Sequence, residues 1–239
     1  MKAIILAAGR GSRMKELTEE IPKCLLEVEG KALLDRQIES LKGAGIDEIA
    51  IVTGYKRELL IDRGLFEFNN PRWSETNMVS SLACGEEWLE DDICIVSYSD
   101  IFYDSGAVLS LIQDSADLAV TYDPNWLELW TSRFGDPLLD AETFRMDENS
   151  FLTEIGNKPS SIDQVEGQYM GLLRFTPGGW GRVVALRETL SPLECDSMHM
   201  TGTLQKLIES RQAAVKAVPY QGKWGEFDSE VDIKLYEKK

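Results

Sequence analysis

The stretch KAIILAAGRGSRM, Lys2 to Met14, runs an apolar segment straight into a loop of two glycines and two arginines. Lys2 to Leu6 is short, rich in β-branched residues and closed by a glycine loop, which predicts a buried strand. A strand that ends in glycines and leads into a helix aims backbone N–H groups at an anion. Glycine lets the main chain approach that anion closely and take positive φ. The loop therefore suits a polyphosphate, with arginines to meet its charge.

Beyond the loop the pattern alternates. Ala32 to Ala44 carries Leu33, Leu34, Ile38 and Leu41 on one helical face and stops at Gly45. Buried strands are predicted at Glu48 to Gly54, Asp92 to Asp100 and Asp117 to Asp123, with helices at Asn77 to Leu89 and Ala107 to Ile112 between them. Such alternation implies right-handed crossovers, and hence an α/β fold: a Rossmann-like mixed, mostly parallel sheet with helices on both faces. After Asp123 the rhythm changes. Asp123 to Phe134 reads as tryptophan-rich and irregular. Phe144 to Met146, Phe151 to Ile155 and Gln168 to Phe175 read as inserted, partly antiparallel strands that would bind a substrate. Helices are expected at Gly178 to Leu190, Met200 to Gln212 and Ser229 to Tyr236, and a strand at Ala213 to Tyr220. No repeat or long linker divides the chain, so one domain over residues 1–239 is expected.

Composition narrows the partners. Asp and Glu outnumber Lys and Arg by 41 to 25, a formal net charge of −16. A polyanion needs a basic face, so nucleic acid is not expected as a partner. An anionic ligand would need cations gathered locally, and Arg10, Arg13, Lys15 and Lys23 are such a gathering. No apolar run approaches the roughly 18 residues of a membrane span, and Met1 to Leu6 does not have the form of a signal peptide. A cytoplasmic protein without membrane attachment is expected. Its four cysteines form no C-x-x-C pair, which speaks against structural zinc and fits reduced thiols. A single histidine, His199, and no G-x-S-x-G leave little room for a serine hydrolase.

Three phosphate-binding motifs compete for the loop. The dinucleotide fingerprint G-x-G-x-x-G is met at Gly9 and Gly11 but has Met14 in third place. The P-loop's Gly-Lys-Ser/Thr is absent. Arg13 in the loop, followed by Pro22-Lys23, adds cations that suit a triphosphate better than a dinucleotide.

These residues carry a resemblance. The pattern L-A-A-G-x-G-x-R, then P-K, then a glycine turn and helix, covers the first quarter of the chain and resembles the sugar-phosphate nucleotidyltransferase superfamily. The resemblance implies that Leu6, Ala7, Ala8, Gly9, Gly11 and Ser12 wrap a nucleoside triphosphate, and that Arg13 and Lys23 are catalytic contacts near its α-phosphorus. Residues 1–123 would form the nucleotide-binding half and 124–239 the acceptor-binding half. Asn69 to Leu82, NNPRWSETNMVSSL, is similar to the phosphocholine and phosphonate cytidylyltransferases. There Asn77, with Ser80 and Ser81, would meet the base of CTP, and Ser99 would complete the nucleotide site. LWTSRFGDPLLDAE, EIGNKP and EGQYMGLLRF resemble bacterial capsule enzymes that join CTP to phosphoglutamine.

The resemblance also implies a divalent cation, Mg²⁺, on Asp100 at the end of the strand ICIVSYSD and on Asp228 in WGEFDSEVD. Mg²⁺ prefers carboxylate and phosphate oxygens. Read without the resemblance, the same aspartates could cap the helices that follow them. Acceptor-binding candidates are Arg133, Glu154, Lys158, Glu166 and Tyr169. Arg133 and Arg174 could grip a carboxylate, and Glu142, Asp163, Glu166 and Asp196 a free amino group. Trp126, Trp130, Tyr169, Trp180 and Trp224 could instead box a quaternary ammonium or simply pack the core. The arginines favour an amino-acid-like phosphorylated acceptor, and His199 is given no role. A sugar-1-phosphate uridylyl- or thymidylyltransferase, a non-catalytic nucleotide sensor and a dinucleotide-binding oxidoreductase remain as alternatives. A homodimer stays open.

Overall fold

The computed structural model of the protein describes residues 1–229 and 232. In chain order the strands of the first half are β1 (Lys2–Leu6), β2 (Glu27–Val28), β3 (Lys31–Ala32), β4 (Ile49–Thr53), β5 (Phe66–Asn69), β6 (Cys94–Tyr98), β7 (Ile101–Tyr103) and β8 (Leu118–Asp123). Those of the second half are β9 (Phe144–Met146), β10 (Leu152–Ile155), β11 (Gln168–Phe175), β12 (Val215–Pro219) and β13 (Trp224–Glu226). The helices are α1 (Leu33–Gly43), α2 (Met78–Leu82), α3 (Glu86–Asp91), α4 (Ser105–Gln113), α5 (Trp126–Phe134), α6 (Pro177–Glu188), α7 (Pro192–Ser197) and α8 (Met200–Glu209).

Among the described residues, seven strands form one sheet in the order β12-β8-β11-β6-β1-β4-β5. All neighbouring pairs are parallel except those of β11, which lies antiparallel between β6 and β8. Ala3, Ile4 and Ile5 are all buried, because both faces of β1 are covered; a central strand of a doubly covered sheet is apolar without alternation. Ile4, Val52, Val96 and Leu173 face one core with Leu82, Trp88, Val183 and Leu204. Ile5, Ile51, Ile95 and Leu172 face the other with Leu34, Leu41, Leu111 and Trp130. The expected α/β class, helices on both faces included, is what the chain adopts.

Several elements differ from expectation. The predicted helix Asn77 to Leu89 is two helices, α2 and α3, joined by a 3₁₀ turn at Ala83–Gly85. A Cβ on Gly85 would stand 3.0 Å from the Phe68 ring, so the bend packs tightly on β5. Asp123 to Phe134 is not irregular: α5 buries Trp126, Trp130 and Arg133 on one stripe and ends at Gly135 with φ +76. The short helix α7 is signalled by a capping box that pairs Ser191 with Glu194. The helix expected over Ser229 to Tyr236 lies outside the described residues, save Ser229 and Asp232.

A small ribbon brings the end of the chain to the sheet. β13 pairs antiparallel with β7, setting Glu226 opposite Ile101, and the Phe227 N–H donates to the Asp100 carbonyl at 2.9 Å. The ribbon carries the Glu226–Asp228 segment to the end of β6, at the carboxyl edge of the sheet where open α/β folds bind ligands.

Candidate active site

The loop after β1 begins the site. Gly11 sits at φ 68, ψ 47, a left-handed conformation that favours glycine. A Cβ there would also meet the Lys23 Cδ at 2.9 Å, so Gly11 leaves the lane along which the Lys23 stem runs. The Thr18 hydroxyl donates to the Gly11 carbonyl at 3.0 Å, and the Tyr55 hydroxyl donates to the Thr18 carbonyl at 2.9 Å. At the other end of the glycine-rich stretch the Tyr55 N–H donates to the Ala8 carbonyl at 2.9 Å.

Lys23 is buried, and its ammonium is paired with two carboxylates. It donates to Asp100 Oδ2 at 2.8 Å and to Asp228 Oδ1 at 2.9 Å. Burial alone would lower its pKa, but Asp100 and Asp228 outweigh that and raise it above the ordinary lysine value. Arg13 pairs with the other oxygen of Asp228. Oxygen atoms of Asp100, Glu226 and Asp228 all lie within 4.8 Å of one another. Burial pushes the Glu226 carboxyl up to about 7, a rise that Arg133 and Lys23 oppose and Asp100 and Asp228 reinforce. Asp100 Oδ1 is buried with no hydrogen-bond partner among the described residues. An orphaned carboxylate oxygen amid three hard oxygen donors fits a divalent cation such as Mg²⁺.

Two cavities meet at this cluster. The first, of about 210 Å³, is floored by Leu6, Ala8, Gly9 and Gly11, with Arg13, Lys23 and Asp100 at one end. Asn77, Ser81 and Ser99 line the rest, beside Trp73, Thr76 and Met78. Asn77 caps α2 by accepting the Met78 N–H at 2.7 Å. The Ser81 hydroxyl accepts from Asn70 at 3.0 Å, which leaves its own O–H to donate. Ser80 points elsewhere and donates to the Cys195 carbonyl at 3.1 Å. Ala7 is packed into the core behind the loop, and Ser12 is outside the cavity lining.

The second cavity, of about 410 Å³, shares Arg13, Met78 and Tyr98 with the first and reaches Glu226 and Asp228. Its far wall carries Asp140, Glu142, Gln168, Tyr169 and Thr201. Tyr98 and Tyr169 meet edge to face, ring centroids 5.7 Å apart. Burial pushes both phenols well up, so both stay neutral. Gly171, φ +79, is also constrained: a Cβ there would stand 2.9 Å from the Tyr98 ring. Glu142 and Asp140 are both raised by burial; a Thr201 hydrogen bond opposes the rise at Glu142, and the charge of Arg133 opposes it at Asp140. His199, to which the sequence assigned nothing, lines the cavity and caps α8 through the Gly202 N–H at 3.3 Å.

Of the acceptor-binding candidates, Tyr169 and Glu142 line this cavity. Arg133 is buried against Asp232 and Glu226, its guanidinium committed before any ligand arrives. Arg174 is buried and donates to the Ala116 carbonyl. Lys158 donates to the Leu139 carbonyl at 2.9 Å and so braces the turn before Asp140. Glu154 accepts from Asn157 at 3.1 Å and Glu166 from the Met146 N–H at 2.8 Å. Asp196 pairs with Arg72 at 2.6 Å. Trp126, Trp130, Trp180 and Trp224 are core residues, so they form no aromatic box. The sequence missed Tyr98, Asp140, Gln168 and Thr201 as cavity residues. Tyr98 alone had a signal, being the last residue of the strand before Ser99 and Asp100.

Known proteins share this architecture. Residues 3–151 match the MobA-like NTP transferase domain. The chain is 39% identical to the CTP:phosphoglutamine cytidylyltransferase of Campylobacter jejuni subsp. jejuni, over 98% of each chain. It is 39% identical over 106 residues to the choline-phosphate cytidylyltransferase of Streptococcus pneumoniae, 43% of this chain and 46% of that one. The solved inositol-1-phosphate CTP transferase from T. maritima superposes with a TM-score of 0.76 over 99% of this chain and 93% of that chain, at 22% identity, a likeness of fold.

Proposed function

From the premise that this chain belongs to the MobA-like NTP transferase family and is a nucleotidyltransferase of the cytidylyltransferase kind, we propose that it transfers the cytidylyl group of CTP to the phosphate of an amine-bearing acceptor of the phosphoglutamine type. One observation carries the reading: the two cavities share Arg13, and Lys23, Asp100 and Asp228 stand where they join. A triphosphate along the glycine loop and a phosphate entering from the second cavity would meet there.

The chemistry then concerns charge. An acceptor phosphate oxygen attacks the α-phosphorus, and pyrophosphate leaves in line. The attacking oxygen is already anionic near neutral pH, so no general base is needed. The obstacle is bringing two anions together, which positioned cations remove. Lys23 and Arg13 exchange their carboxylate partners for phosphate oxygens. Asn77 and Ser81 hold the base, and Trp73 walls that end of the cavity. Asp100, Asp228 and Glu226 would hold Mg²⁺, which supplies further neutralisation of phosphate charge. Four unpaired thiols fit a reducing, cytoplasmic setting for this reaction.

The acidic wall supports the acceptor's class. Asp140 and Glu142 face a cavity whose described basic lining residues are Arg13 and His199, a setting suited to an ammonium group rather than an uncharged sugar. We expect Glu142→Gln to raise the KM for phosphoglutamine by about 10–100-fold, the range of one lost charge-assisted hydrogen bond, and to leave the KM for CTP within about threefold. The carboxylate must be ionised to hold an ammonium. Because burial raises its pKa, the wild-type acceptor KM should rise as pH falls, and more steeply than the variant's, which keeps Asp140 and the acceptor's own phosphate as titrating groups. Steady-state kinetics from about pH 8 down to about pH 5, which brackets a carboxyl raised above its ordinary range, reads both.

Pyrophosphate release tests the function itself. CTP, UTP and dTTP are each paired with phosphoglutamine, phosphocholine, 2-aminoethylphosphonate and glucose 1-phosphate. Release confined to CTP with an amine-bearing acceptor is expected. Release with UTP or dTTP and glucose 1-phosphate would transfer the protein to the sugar branch, and release with phosphocholine alone would remove the amino-acid acceptor.

A further inference from the structure

We propose that Arg133 is a positioning residue that fixes both carboxylate-bearing ends of the Glu226–Asp228 segment from outside the two cavities. The inference rests on reading Asp100, Glu226 and Asp228 as a cation site.

Arg133 projects from α5 with only 1% of its side chain exposed. Its Nη1 donates to Glu226 Oε2 at 3.1 Å, and its Nε donates to Asp232 Oδ1 at 2.7 Å. A guanidinium is planar and rigid, so two carboxylates on one fork are held in fixed relation. The rings of Trp130 and Phe134 pack against it, with centroids 4.6 and 4.8 Å from the guanidinium carbon. Asp232 passes the constraint on. Its other oxygen, Oδ2, accepts the Asp228 N–H at 2.9 Å, the Ser229 N–H at 2.8 Å and the Ser229 hydroxyl at 3.1 Å. One buried guanidinium thus holds Glu226 by its side chain and Asp228 by its backbone.

Stability alone does not account for this arrangement. A buried ion pair is often no better than apolar residues of the same volume. Arg133 Nη2 is moreover buried without a hydrogen-bond partner among the described residues, which costs stability. The fork does give the carboxylates a defined spacing beside Asp100, which a coordinated cation requires. Neither Arg133 nor Asp232 lines either cavity, so the acceptor does not touch them.

The test compares the full-length wild type with Arg133→Met, Arg133→Lys and Asp232→Asn. Mn²⁺ serves as the probe, with binding read from the electron paramagnetic resonance of the free ion, and the Mg²⁺ concentration for half-maximal turnover is measured alongside. We expect Arg133→Met to weaken Mn²⁺ binding by about 10–100-fold, as loss of groups that orient metal ligands does, and to raise the Mg²⁺ requirement in parallel. The KM for the acceptor at saturating Mg²⁺ should stay within about threefold. Arg133→Lys should fall between, since an ammonium lacks the two-pronged fork. Asp232→Asn should follow Arg133→Met, because an amide has one acceptor oxygen for two sets of donors. If Arg133→Met does not fold, the other two variants decide. Folded variants with wild-type Mn²⁺ affinity would overturn the inference, as would a raised acceptor KM at saturating Mg²⁺. If the wild type neither takes up Mn²⁺ nor needs a divalent ion for turnover, the cation-site reading itself falls.

Discussion

Lys23→Met should leave a folded protein that has lost turnover, with kcat/KM for cytidylyl transfer down by at least about 10³-fold. Removing one well-placed donor from an oxyanion costs about 10²–10³, and Lys23 is asked for more than one contact. Its ammonium reaches the point where the two cavities join, from a buried stem threaded past Gly11. Arg13 cannot replace it, because Arg13 approaches from the exposed rim, 71% of its side chain in solvent. Lys23 also neutralises Asp100 and Asp228, so the variant should melt lower. Breaking a buried pair by removing one partner costs about 3–5 kcal/mol, and the partial exposure of Asp100 puts the expected loss at the lower end of that range. The raised pKa sets the pH window of this contribution. It is complete below the ordinary lysine value of about 10.4 and is lost as pH rises through the higher folded value, so the two melting curves should converge only above about pH 10.4. Single-turnover kinetics with circular dichroism and thermal melting separates the two losses. Turnover within tenfold of wild type would remove Lys23 from the reacting phosphates.

Asp100→Asn should be nearly as severe in activity and different in stability. Asp100 has one oxygen on Lys23 and one buried oxygen with no partner among the described residues. The amide keeps an acceptor for Lys23 but loses the charge a hard cation needs. We expect kcat to fall by about 10²–10³-fold, the scale of one lost stabilising contact in the transition state. Added Mg²⁺ should raise the wild-type melting temperature, by an amount equivalent to about 2.7 kcal/mol at a hundredfold excess over its Kd. The variant should show little or none of that gain. A variant that keeps both the Mg²⁺-dependent shift and wild-type kcat would mean that Asp100 holds no cation.

The loop and the first sheet strands were legible because their signals are local. Gly9, Gly11 and Arg13 follow an apolar strand within a few residues, and nothing distant changes their meaning. Asp100 and Asp228 were found by resemblance, and only the β7–β13 ribbon explains why residues so far apart come together. The acceptor side was read poorly. Arg133 looked like a carboxylate grip, but a sequence does not show that its partners Glu226 and Asp232 arrive from the far end of the chain. The tryptophans after Asp123 could be read as a box or as core; at helical spacing on α5, Trp126 and Trp130 fill the core. Gln168 and Thr201 carry no distinguishing pattern, since a cavity wall is made by tertiary approach.

β11 lies antiparallel between β6 and β8 and brings Tyr169 and Gly171 against Tyr98. One wall of the second cavity is thereby hydrogen-bonded, strand to strand, to the wall that ends in Asp100. No hinge lies between these two walls within the sheet. Whatever adjusts the acceptor must do so through side chains and loops hung on a fixed frame. If the second cavity takes the acceptor as proposed, acceptor preference should be rewritten by changes on β11 and on the turn that carries Asp140 and Glu142, with the glycine loop left as it stands.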